Sequence, residues 1–121
     1  MSTNNTFLAV FVGNKNSPKM AAWNALTEAE RNAKMADGMA AWKAWAEKHE
    51  AAIVGTGGPL GKTKKISDLG IEDISNMLSA YTVVRAPSHE AAARMFEKHP
   101  HFTNFPGDCV EVMPVLPIPG A

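Results

Sequence analysis

The chain has 121 residues, with 12 Lys and Arg against 12 Asp and Glu, so its formal charge is zero. A nucleic-acid-binding surface normally rests on a basic excess or a basic stripe, which disfavours that class. Cys109 is the sole cysteine, which excludes an intrachain disulfide and fits a reducing compartment. A chain of this length can bury about 65% of its unfolded surface. It is expected to fold as one domain over residues 1–121 without a metal or disulfide staple. The stretch Met1–Thr6 lacks the positive n-region of a signal peptide. The apolar run after it is too short for an h-region or a membrane span, so a cytoplasmic chain with no membrane partner is expected.

Phe7 to Val12 is continuously apolar and stops at Gly13-Asn14, which predicts a buried strand. Ser17-Pro18 pairs an N-cap residue with Pro at the first helical position and opens a short helix through Trp23. Thr27 followed by Glu30 is a capping-box signature for a long helix reaching about Glu50. Met35, Met39, Trp42, Ala46 and His49 share one face of that helix, widened by Trp45. Gly38 lies inside it and costs ~1 kcal/mol relative to Ala. Either the helix breaks at Gly38 or another group packs closely on its backbone.

Ala51 to Val54 predicts a second strand, stopped by Gly55-Thr56-Gly57-Gly58-Pro59. Leu60 to Met77 is too long for a tight turn and predicts an irregular excursion or a small hairpin. Tyr81 to Val84 is a third strand. Pro87-Ser88 opens a second helix with Lys98-His99 in its last turn, closed by Pro100. Val110 to Met113 alternates as a fourth strand. The Pro-rich tail, 114–121, is expected to form an edge or an extended arm.

The order strand, helix, strand, strand, helix, strand is the split βαβ pattern, an α+β ferredoxin-like βαββαβ fold with a four-stranded antiparallel sheet. Two helices cover one face of such a sheet, yet the first strand is apolar at every position. A homodimer packed through the free sheet face follows as the expected solution.

Ala51–Pro59, Ala80–Pro100 and Val110–Val115 together resemble the YCII-related (DGPF-type) domain family, over a span from Phe7 to Val115. The resemblance implies a dimeric α/β barrel with a cleft between helices and sheet. Related families on that scaffold include isomerases, lactone-processing dehalogenases and cofactor-free oxygenases. Some YCII-like proteins carry a His on the first long helix and an Asp after the glycine-proline turn as a proposed acid-base pair. Here the His position falls near Ala41, and Pro59 is followed by Leu60-Gly61-Lys62-Thr63 with no Asp until Asp68. That pair is missing or replaced.

Thr56 to Thr63 superficially resembles a phosphate loop, but Thr56 stands where that motif demands Gly, and no good helix follows. A looser reading leaves Lys62, Lys64 and Lys65, beside exposed glycine amides, to hold a substrate carboxylate, with Lys62 as the ligand-binding candidate. His99-Pro100-His101 with Asp108 offers two histidines and one carboxylate, short of a zinc ligand set, so no metal is assigned. Acid-base catalysis needs only a pocket and an orienting group, which makes His99, His101 and His49 the catalytic candidates. Trp42 and Trp45 are candidate apolar walls, with Asp37 and Asp108 as further ligand-binding candidates. The first reading is a small-molecule enzyme without cofactor, of isomerase, lyase or dehalogenase type. The alternative is a non-catalytic dimer that binds a small anionic or aromatic ligand, and a third is a scaffold with no pocket.

Overall fold

The computed structural model describes residues 5–120. Four strands form one antiparallel sheet: β1 (Thr6–Val12), β2 (Ile53–Pro59), β5 (Leu78–Arg85) and β6 (Cys109–Pro114), in the order β2-β5-β1-β6. That order and the intervening helices make the fold ferredoxin-like. The helices are α1 (Pro18–Ala25), α2 (Glu28–Lys48), α3 (His89–Arg94) and α4 (Pro100–Thr103). Between β2 and β5 stands a separate two-stranded hairpin, β3 (Thr63–Ser67) with β4 (Gly70–Ile74). The helical content includes no segment long and apolar enough to cross a membrane among the described residues.

The register explains the core. Phe7, Ala9 and Phe11 stand opposite Val84, Thr82 and Ala80 on one side and Pro114, Val112 and Val110 on the other. Strand side chains alternate between faces, so these positions form one apolar layer. Ala92, Phe96, Trp42 and Trp45 from the helical side pack onto it. The opposite face carries Leu8, Val10, Val83 and Met113 and is open, with Met113 and Val54 exposed.

The capping box at Thr27 and Glu30 forms in both directions, at 3.1 and 2.8 Å. Helix α2 runs unbroken through Gly38, and a Cβ there would lie 2.5 Å from the Phe105 ring. Close packing is thus the reason for that glycine. Met35 and Met39, expected on the packed face, are exposed at 47% and 61%.

Two boundaries differ from the sequence expectation. The glycines expected to stop the second strand lie inside β2, whose pairing with β5 is interrupted between Gly55 and Gly58. An edge strand tolerates such a bulge, and Gly57 adopts φ +62 there. The second helix does not reach His99. It ends at Arg94, and Lys98 turns the chain at φ 56. His99 then N-caps α4, with Pro100 in its first turn. His99 therefore sits at a helix start, where a positive charge is unfavourable, and not at a helix end.

Candidate functional site

His99 is fully buried. Its Nδ1 accepts the backbone N–H of His101 at 3.0 Å, satisfying a free donor of the α4 N-terminus. That bond fixes the ring proton on Nε2, and Nε2 has no hydrogen-bond partner. Around it stand Trp42 at 4.6 Å, Trp45 at 4.7 Å and Phe11 at 5.0 Å between ring centroids, all edge-to-face. Burial, with smaller effects of His101 and His49, pushes the His99 pKa down to about 4, so the ring is neutral near pH 7.

His101 is also buried, and its Nε2 lies 2.9 Å from the Val12 carbonyl oxygen, to which it donates. The same oxygen accepts the Asp108 backbone N–H at 2.9 Å. Burial lowers the His101 pKa, partly offset by the Val12 carbonyl. Gly107 is required here, since a Cβ would lie 2.3 Å from the His101 ring. Lys19 donates to the carbonyls of Phe102 and Gly107, tying α1 to α4 and to the loop after it. His49 ends α2 and packs on Trp45 at 5.0 Å, with its pKa lowered mainly by burial.

On the other side of the Trp42–Trp45–Phe11 wall is a cavity of about 450 Å³. Met39 and Ala46 of α2, Ile53 and Thr56 of β2, Thr82 of β5 and Phe105 complete much of its lining. Its volume suits one small ligand. The lining includes no Asp, Glu, Lys, Arg or His side chain. The Thr82 hydroxyl donates to the Gly55 carbonyl at 3.0 Å, which closes the gap that the β2 bulge leaves in the ladder. Trp45 is held by its Nε1 donating to the Met95 carbonyl at 2.7 Å.

Five of the residues nominated from sequence therefore come together: His49, His99, His101, Trp42 and Trp45. Three do not join them. Lys62 lines a separate polar cleft of about 690 Å³ with Lys15, Lys64 and Asp73. Asp37 is exposed on α2, and Asp108 is exposed, accepting the Asn14 backbone N–H at 2.8 Å as a loop fastener. Phe11, Phe105 and Thr82 line the cavity without being candidates from the sequence. Phe11 reads only as strand core in the sequence, and nothing local marks Phe105 as the partner of Gly38. His89 is exposed, stacks on Phe7 and lies 2.8 Å from the Val112 carbonyl. Cys109 is half-buried, and burial raises its pKa, away from thiolate chemistry. Among the described residues no group of three or more His, Cys, Asp or Glu side chains converges as a metal site would require.

No protein-family model and no curated protein matches the chain. Among solved structures it is similar to the 5-chloro-2-hydroxyhydroquinone dehydrochlorinase TftG from Burkholderia phenoliruptrix AC1100, in its complex with 2,5-dihydroxybenzoquinone. The two superpose with a TM-score of 0.51 at 20% sequence identity, over 89% of this chain and 90% of that one. The likeness establishes that the two chains have related folds.

Proposed function

We propose that the chain is a YCII-related protein that binds a flat, uncharged aromatic or quinoid molecule in the Trp42–Trp45 cavity. The lining carries this reading: aromatic rings of Phe11, Trp42, Trp45 and Phe105 surround a space with no charged side chain. A planar ligand gains apolar burial and offset stacking there, at little polar desolvation cost. The dehydrochlorinase of related fold is in complex with a dihydroxybenzoquinone, which shares the planar quinoid shape but not the neutrality of the ligand proposed here. That compound is a vinylogous acid and ionises readily, so a neutral hydroquinone suits this lining better than its anion. The anionic ligand expected at Lys62 has no cation to meet in this cavity. The molecule works as a homodimer packed through the open sheet face of Leu8, Val10, Val83 and Met113.

The test is a tryptophan-fluorescence titration with chlorohydroquinone. Saturable quenching is expected for the wild type and its loss in Ala46→Phe, which fills the cavity while keeping every tryptophan. Equal, unsaturable quenching in both proteins would sink the reading.

The related fold of a dehydrochlorinase favours turnover by a cofactor-free isomerase, lyase or dehalogenase as a second reading. His99 is absent from the cavity lining, so its part in such a reaction is to position Trp42 and Trp45 from behind the wall and not to touch the ligand. Time-dependent chloride release from chlorohydroquinone separates this reading from binding alone.

A further inference from the structure

The β3–β4 hairpin is an anomaly on energetic grounds. Nine of its ten strand residues are exposed, Thr63 being the exception. Ile66 and Ile71, a cross-strand pair, are exposed at 72% and 70%, and Leu69 at the tip at 94%. An isolated two-stranded hairpin is marginal in water, and a contiguous apolar tip of this kind marks an interaction surface. We propose that this hairpin packs face to face against the hairpin of a second copy, about a two-fold axis parallel to its strands.

The charges argue for a second copy in that orientation. Strand β3 carries Lys64 and Lys65, with Lys62 just before it, and β4 carries Glu72 and Asp73. Alternation places Lys64, Ile66, Ile71 and Asp73 on one face, because Lys64 pairs with Asp73 and Ile66 with Ile71. The Lys64–Asp73 ion pair, at 2.7 Å, is wide open to water. A hairpin that is basic along one strand and acidic along the other is complementary to its own copy. A two-fold axis along the strands lays β3 over the partner's β4, so each Lys64 meets an Asp73 and each Ile66 an Ile71. A two-fold axis across the strands would lay lysine on lysine, which is costly. A surface of zero net charge also offers nothing to a polyanion.

Ten residues cover less than the ~800 Å² per partner of a standard interface. The contact is therefore weak and concentration-dependent. It is independent of what the cavity binds.

Sedimentation velocity of the full chain over a concentration series tests this. A concentration-dependent doubling of mass is expected. Ile66→Asp and Lys64→Glu should each weaken that step by roughly tenfold or more. The double variant Lys64→Glu/Asp73→Lys should recover it. These positions are exposed, so far-UV circular dichroism should be unchanged. Met113→Glu on the sheet face is the control, and it should leave the hairpin-dependent step intact. The proposal is overturned by a mass that does not rise with concentration, by hairpin variants that sediment like wild type, or by a charge swap that does not rescue. It is equally overturned if Met113→Glu alone removes every association step.

Discussion

Lowering the pH from neutrality should destabilise the fold through His99, whose ring is enclosed by four aromatic side chains and whose one bound nitrogen is an acceptor. Its pKa is 6.5 in the unfolded chain and about 4 in the fold. The unfolded state therefore takes up a proton first. The contribution is present in full above pH 6.5 and is lost as the pH falls toward 4. Linkage gives a loss of about 2 kcal/mol near pH 5 and a ceiling of about 3 kcal/mol. His101 and His49 are shifted in the same direction by burial and add to it. Urea unfolding at neutral pH and near pH 5 measures the difference. His99→Asn keeps a side-chain acceptor at the α4 N-cap and removes the titration. It should be less stable at neutral pH but lose about 2 kcal/mol less than wild type on acidification. An equal loss in both proteins, or a His99 ring resonance that titrates near 6.5, would refute the reasoning.

Two further substitutions test the local geometry. Gly57→Ala should cost about 3 kcal/mol or more by chemical denaturation, because φ is +62 and the added Cβ would sit 2.0 Å from the Tyr81 carbonyl oxygen. Gly58→Ala, with nothing within 4 Å, is its control and should stay within about 0.5 kcal/mol of wild type. Thr27→Ala removes the acceptor for the Glu30 N–H and should cost about 1 kcal/mol, read as a melting temperature lower by roughly 4 °C. The Glu30 carboxyl, held low by its bond to the Thr27 backbone N–H, should stay low if that bond survives and rise if the box opens as a unit.

What the sequence alone determined about this protein is its local grammar and, through it, the topology. Alternation and apolar runs place β1, β5 and β6, and Ser17-Pro18 and Thr27 with Glu30 open two helices where the structure has them. These signals act within about one helical turn, so they can be read without tertiary context. Gly38 shows the boundary of that reading. The sequence poses two alternatives, and only the Phe105 ring, far along the chain, decides between them. His99 goes further: Lys98-His99-Pro100 reads as a helix end, and the structure makes His99 the start of the next helix. The choice depends on burying the imidazole against Phe11, Trp42 and Trp45, a contact from strand and helix that no local pattern encodes. The tertiary structure alone decided that the tryptophans and histidines converge and that Lys62 does not join them. Side chains meet across a core because packing is set by long-range burial, whereas the period of a helix or strand is set by the backbone itself.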